Sequence, residues 1–171
     1  AQLRALATLG TGFCLSFCGW SVLESNIVAR HGRLGYQAMA CVYYGIGPGA
    51  LFTPLIIERL GPVASMCTSV TTYVAFAAAN FLLECKMRAG TWLLLPAALG
   101  VGLTCPTLWT AQGIYLSNLS RRYDHLRRQD TTAHGSLGLF NGTVSAIMTA
   151  GTLSGLLFSS ALMRMKVDMR I

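Results

Sequence analysis

The sequence predicts an all-α membrane protein, and three observations predict it. Five stretches contain no charged residue: Ala5–Leu23, Leu34–Ile57, Val63–Leu83, Ala89–Ser120 and Gly135–Met163. Each is long enough as an α-helix to cross a hydrocarbon core, which needs about 20 residues. Hydrophobic residues make up 53% of the chain and charged residues only 11%, whereas a soluble domain carries about a quarter. The charges that exist are crowded into the short gaps between the stretches. Within lipid, every backbone N–H and C=O must be satisfied inside the segment. Barrel strands would alternate polar and apolar residues over about 10 positions, so unbroken apolar runs read as helices. The expected helices are 5–28, 34–57, 63–83, 90–117 and 135–163.

The first helix runs out at Leu23-Glu24-Ser25-Asn26, and the basic turn Arg30-His31-Gly32-Arg33 leads into the second. It is too long, with only Arg4 in front of it, to read as a cleaved signal peptide. The second helix is punctuated by Gly35 and by Gly45-Ile46-Gly47-Pro48-Gly49-Ala50. That run has no following Lys-Ser/Thr and no preceding strand, so it predicts close helix packing or a kink at Pro48 rather than a phosphate loop. Glu58-Arg59-Leu60-Gly61-Pro62 makes a tight turn into the third helix. This helix is rich in small and hydroxyl residues, among them Ser65, Ser69, Thr71, Thr72, Ala75, Ala77, Ala78 and Ala79, and is expected to lie against neighbours. Glu84, Lys86 and Arg88 form the next connection.

The fourth helix holds Pro96, Gly100-Val101-Gly102 and Cys105-Pro106, which mark a bend lining protein or water. Trp92 and Trp109 read as interfacial anchors or packing residues. The longest polar segment, Asn118 to His134, carries Arg121, Arg122, Arg127 and Arg128 beside Asp124 and Asp130. It is expected to be solvated, with contact to anionic headgroups as the sharper alternative. The fifth helix spaces small residues four apart, Gly138 to Gly142 and Gly151 to Gly155, which suits a close crossing. The chain begins at Ala1 without an initiator Met and stops at Ile171, and the expectation is a fragment of a longer protein.

The net charge of +7 accompanies membrane helices here, with no separate basic module for nucleic acid. Cys14, Cys18, Cys41, Cys67, Cys85 and Cys105 lie in or beside apolar stretches, form no metal-ligand pattern and read as small hydrophobes. His31, His125 and His134 sit in or next to connections with no nucleophile, carboxylate pair or metal spacing around them. No catalytic site and no cofactor are expected. Basic residues divide almost evenly between the two sides, so charge leaves the orientation open. Two sequons, Asn118-Leu119-Ser120 and Asn141-Gly142-Thr143, offer an independent readout. Asn141 is expected to be inaccessible within its helix and Asn118 to stay unmodified in a cytoplasmic connection.

From the first helix to the fifth the chain resembles the uncoordinated-ninety-three family, a branch of the major facilitator superfamily. The residues that carry the resemblance are Leu23-Glu24-Ser25, Leu51 to Ile57 leading to Leu60-Gly61, Asn80-Phe81, Pro106 to Leu116, and Phe140 through Ser160. The segment with Trp109, Ala111, Gln112, Tyr115 and Leu116 is the most specific. The resemblance implies the N-terminal half of a major-facilitator-type helical bundle, with about five transmembrane helices and a C-terminal half elsewhere in the same protein. Glu58, Arg59 and Gly61 resemble the acidic-Arg-x-Gly turn of facilitators, in which the acidic group caps a helix and pairs with Arg to bias two access states. Pro54 and Pro62 depart from that pattern, but the turn implies a cytoplasmic N-terminus. Thr149 and Thr152 stand where the family tends to carry Gln.

Two functions follow as expectations. The first is a non-enzymatic accessory protein in the bilayer, at the plasma membrane or in the endoplasmic reticulum or endosome. By the resemblance it regulates a potassium channel subunit or escorts a single-span receptor. Candidate contacts for a partner helix are Glu24, Asn26, Gly151 and Gly155. The alternative is a secondary transporter of a small solute or ion, with Gln112 and Tyr115 facing the solute and a site between two halves of which one lies outside this chain. Transport needs strongly polar groups at mid-membrane, and the mid-spans offer only Asn80, Gln112, Asn141 and hydroxyls.

Overall fold

Apolar runs that must bond their own backbones fold, among the described residues, into four helices: α1 Gln2–His31, α2 Arg33–Glu84, α3 Arg88–Arg127 and α4 Leu137–Asp168. The structure is a computed structural model that describes residues 2–127 and 136–168. Ala1, Arg128, Asp130, His134, Gly135 and Ile171, named above, lie outside the described residues. All four helices are long and apolar enough to cross a membrane.

The second helix covers two of the five expected stretches. Laid straight, its 52 residues would reach about 78 Å, more than twice a hydrocarbon core of about 30 Å. It does not run straight. Gly61 leaves the helical region at φ 76° and ψ 165°, and Pro62 follows. A residue before proline is pushed out of the α region, and proline itself fits the first position of the next helix. Packing against α3 shows the result. Along arm 33–60, Gly45 meets Gly102, Gly49 meets Leu103 and Thr53 meets Thr107, so this arm is parallel to α3. Along arm 62–84, Ser69 meets Thr104 and Thr72 meets both Thr104 and Gly100, so this arm is antiparallel. The chain therefore reverses at Gly61, where the sequence placed its turn.

Gly61 occupies a region of φ and ψ that is essentially restricted to glycine. Gly61→Ala is expected to lower stability by about 1–3 kcal/mol, read as a lower melting temperature of the full-length protein in detergent. An unchanged melting temperature would show that the reversal does not depend on this conformation.

The other junctions are short. Gly32, at φ 51°, is the single residue between α1 and α2. The helix ends close directly on one another beyond it, since a Cβ at Gly35 would meet the Ile27 carbonyl oxygen. α1 thus continues past Asn26 to His31. After Glu84, Lys86 N–H donates to Leu83 O at 2.9 Å and Met87 N–H to Leu82 O at 3.0 Å. That pair of bonds is a Schellman ending, with Lys86 at φ 57° where glycine is usual. Pro48, Pro96 and Pro106 all lie inside helices, and of the two outcomes expected around Pro48 the close packing is present, with Gly45 and Gly49 against α3. α3 also runs on to Arg127, which places Asn118 inside a helix rather than at its end.

Contacts divide the chain into two compact units. One comprises Ala1–Asn26 with Leu116–Ile171, and the other Ile27–Tyr115. In the first, α1 and α4 run parallel: Gly10 lies against Ile147, Gly151 against Cys14 and Gly155 against Cys18. In the second, both arms of α2 pack on α3 over buried Val42, Phe76, Ala79, Leu94, Ala98 and Val101.

Candidate functional site

In the unit of Ile27–Tyr115, small residues bring backbones together. A Cβ at Gly102 would meet the Val42 carbonyl oxygen, and one at Gly49 would meet the Leu103 carbonyl oxygen. One at Gly45 would come within 3.0 Å of Gly102 Cα. Where the helices approach this closely, hydroxyls replace bulk. Thr53 and Thr107 share a hydrogen bond at 3.1 Å, and Thr53 Oγ1 lies 3.0 Å from the Gly49 carbonyl that it can donate to. Each hydroxyl has one proton, so Thr53 donating to Gly49 leaves Thr107 to donate to Thr53. Thr72 and Thr104 share a second such bond at 2.7 Å, and Ser69 Oγ sits within reach of Ser65 O at 2.9 Å and Thr104 O at 3.2 Å.

These five hydroxyls form a ladder between arms and α3 without a single charge. A hydroxyl ladder fixes register in lipid, where an unpaired polar group has no water to turn to. It offers no group that ionises near neutral pH. Ser65 Oγ is fully buried and has no hydrogen-bond partner among the described residues. The cause is local: a helical serine normally donates back to the carbonyl four residues earlier, and here that residue is Gly61, which has left the helix.

At one end of this unit Arg30 Nη1 lies 2.9 Å from Glu84 Oε1, with His31 Nε2 at 3.6 Å from the same oxygen. More than a third of each side chain of the Arg30–Glu84 pair is exposed, which limits it to about 1 kcal/mol or less.

In the other unit, Gly151 and Gly155 let α1 and α4 touch backbone to backbone at Cys14 and Cys18. One turn further, Asn26 Nδ2 donates to Ser159 Oγ and to the Val22 carbonyl, and Ser25 Oγ shares a bond with Ser159 Oγ at 2.9 Å. Ser159 is buried. α3 joins the same unit through its last turns: both carboxylate oxygens of Asp124 accept from the Ser136 N–H, at 3.2 and 3.1 Å, and Tyr123 lies against Phe140 with ring centroids 5.4 Å apart. Asp124 thereby satisfies the N-terminus of α4, a role in which a negative charge is favoured.

The residues singled out by sequence fall as follows. Asn26, Gly151 and Gly155 come together on one α1–α4 seam, but the helix they hold belongs to the same chain rather than to a separate partner. Glu24 is half-buried on α1. Gln112 is buried and Tyr115 half-buried on α3. Glu58 and Arg59 are both exposed beside Gly61, and no ion pair links them, unlike the paired facilitator turn they resemble. Thr149 and Thr152 bond back to their own helix at Ser145 O and Met148 O, which leaves their hydroxyl protons engaged. Asn141 lies one turn into α4, within a helix long and apolar enough to cross a membrane, on its outward face. Among the described residues no group of three or more His, Cys, Asp or Glu is placed to hold a metal.

Sequence reasoning did not find the Thr53–Thr107 and Thr72–Thr104 bridges or the Ser159 node. The signal was present in part: Ser65, Ser69 and Thr72 follow one helical face, as do Thr104 and Thr107. The pairing across helices required the parallel and antiparallel registers.

Comparison with known proteins gives a consistent picture. Residues 27–163 match the family model UNC-93, described as ion channel regulatory protein UNC-93. The chain is 34% identical to human protein unc-93 homolog A over 120 residues, covering 68% of this chain and 25% of that protein. It is 23% identical over 163 residues to UNC93-like protein 3 of Arabidopsis thaliana, covering 94% of this chain and 33% of the relative. It is also 23% identical over 153 residues to the putative potassium channel regulatory protein unc-93 of Caenorhabditis elegans, covering 89% and 21%. The chain therefore spans between about a fifth and a third of these relatives' length. No solved structure matches.

Proposed function

The chain belongs to the UNC-93 family, and on that premise we propose that it is part of a membrane-embedded regulatory subunit that acts through helix contacts on a potassium channel. The observation that carries the reading is the family match over 27–163, a family described by ion channel regulation. The printed name of the nematode relative supports a potassium channel as the partner. A single-span receptor is the partner class for the escort form of the same activity.

The chemistry of the interior supports a binding role. The hydroxyls of Thr53, Ser69, Thr72, Thr104, Thr107 and Ser159 bond within the chain, and none of the six Asp and Glu residues stands at the middle of an apolar stretch. Gly138 and Gly142 on α4 have open space opposite them, with no described atom within 4 Å, so a partner helix has room there. The test uses the full-length protein, co-expressed with a potassium channel subunit, and reads channel current and co-purification. The reading requires a changed current and a stable complex, weakened by Gly138→Leu with Gly142→Leu at an unchanged melting temperature. A current indifferent to the full-length protein would exclude channel regulation. Unchanged co-purification of the double variant would clear that face alone.

The protein is an integral membrane protein, and the orientation proposed for it has a cytoplasmic N-terminus, at the plasma membrane or in the endoplasmic reticulum and endosome. This orientation places Asn118 on the cytoplasmic side. We expect the full-length protein to show no glycan on Asn118 by mass spectrometry after expression in mammalian cells, and a glycan there reverses the assignment.

A further inference from the structure

α3 does not end with its apolar stretch. The uncharged run stops at Ser120, yet the helix continues to Arg127. This extension is held in place: Ser136 N–H donates to Asp124, Ser136 Oγ donates to the Ser120 carbonyl, and Tyr123 packs on Phe140. Its two faces differ. Leu119 and Ser120 are buried and Tyr123 and Asp124 half-buried, while Asn118, Arg121, Arg122, His125 and Leu126 are exposed. The exposed positions fall three and four apart, so they form one continuous stripe.

Three properties of that stripe define what it fits. Arg121 and Arg122 make no ion pair or side-chain hydrogen bond with another described residue. The nearest carboxylate in the sequence, Asp124, faces the other way and accepts from the Ser136 N–H, so it does not neutralise them. Leu126, beside the two arginines, is 64% exposed. An apolar side chain adjoining two guanidinium groups, directly beyond a membrane-crossing segment, matches the boundary between acyl chains and headgroups, where long basic side chains reach toward phosphate.

We propose that the stripe from Asn118 to Leu126 on α3 binds the headgroup of an anionic phospholipid of the phosphatidylserine type. Arg121 and Arg122 engage its phosphate and carboxylate as charge-assisted hydrogen-bond donors, and Leu126 lies against the upper acyl chain. Arginine suits this role because its planar fork meets an oxyanion with two parallel bonds. The proposal rests on the cytoplasmic orientation given above, since that leaflet is the anionic one.

The test uses the full-length protein purified in a neutral detergent and titrated with mixed micelles of dioleoylphosphatidylserine or dioleoylphosphatidylcholine, with bound lipid counted by native mass spectrometry. The parent protein is expected to retain phosphatidylserine over phosphatidylcholine. Arg121→Gln with Arg122→Gln is expected to reduce that preference about tenfold, the order expected for two basic residues partly screened by salt. Arg121→Lys with Arg122→Lys keeps most of it, and Arg164→Gln, at the other end of α4, keeps all of it. A parent without preference, or a glutamine variant that retains it, overturns the proposal. Free glycerophosphoserine competing as strongly as the lipid also overturns it, because the acyl contact would then contribute nothing. Micelle binding does not depend on orientation, so a glycan on Asn118 would overturn the leaflet assignment separately.

Discussion

Gly102→Val is expected to cost the full-length protein about 3 kcal/mol or more, the upper end of what overpacking does, and to leave little monodisperse protein after solubilisation. The reason is geometric. The added Cβ would meet the backbone carbonyl oxygen of Val42, with Gly45 Cα 3.0 Å away, and neither neighbour is the flexible end of a side chain. The only relief is to push arm 33–60 away from α3, and that movement also separates Thr53 from Thr107, whose hydroxyls are buried and bonded to each other. A broken hydroxyl bridge in lipid adds its own penalty, since no water replaces the lost partner. Gly47→Ala is the control: nothing lies within 4 Å of that position, and replacing a mid-helix glycine by alanine favours the helix by roughly 0.5–1 kcal/mol. Fluorescence-detected size exclusion and melting in detergent measure both. A Gly102→Val protein that melts with the parent would show that α2 and α3 are not packed at this register.

Gly151→Leu combined with Gly155→Leu should have an effect of similar size on a different contact. Side chains at these positions would drive into the Cys14 and Cys18 carbonyl oxygens and against Ser21 Cβ, forcing α1 from α4. The separation would strip Ser159 Oγ from Asn26 and Ser25, so we expect a loss of about 3 kcal/mol or more from overpacking and lost hydrogen bonds together. Binding to a partner would fall as well, but as a consequence of lost fold. Melting and binding measured on the same preparation separate the two: the structure requires the melting temperature to drop along with binding. Loss of binding at an unchanged melting temperature would mean that these glycines face a partner and not α1.

Most of the architecture could be read from the chain because lipid imposes one strong rule on it. Uncharged runs of membrane length have to be helices, and the gaps between them have to be turns, so Glu58-Arg59-Leu60-Gly61-Pro62 was legible as a reversal even though backbone bonding continues almost unbroken across it. Small-residue spacing was legible as close packing at Gly45, Gly49, Gly151 and Gly155, but the close crossing expected at Gly138 and Gly142 is not formed, since no described atom lies within 4 Å of either. What spacing does not encode is the identity of the neighbour. Gly151 and Gly155 suited a partner helix because small residues four apart let any helix approach, and only the fold makes α1, more than a hundred residues away, the helix that does so. The ends of helices were also misjudged. Polarity after Asn118 suggested a loop, but Asp124 binding the Ser136 N–H and Tyr123 packing on Phe140 extend α3 to Arg127. Such contacts across a connection depend on three-dimensional register and leave no periodic trace. Pro48 and Pro106 each remove a backbone donor inside a helix, and the small residues beside them, Gly45, Gly49 and Gly102, are where α2 and α3 approach.

The joints at Gly32 and Gly61 carry a mechanical implication. With one residue between α1 and α2, and one non-helical residue between the arms of α2, the polypeptide from Arg30 to Pro62 has no slack. A displacement imposed on either end of arm 33–60 cannot be taken up by a yielding loop and must appear as tilt or rotation of the neighbouring rod. Lengthening either joint with a few flexible residues would act as a clutch, uncoupling those movements while leaving each rod intact.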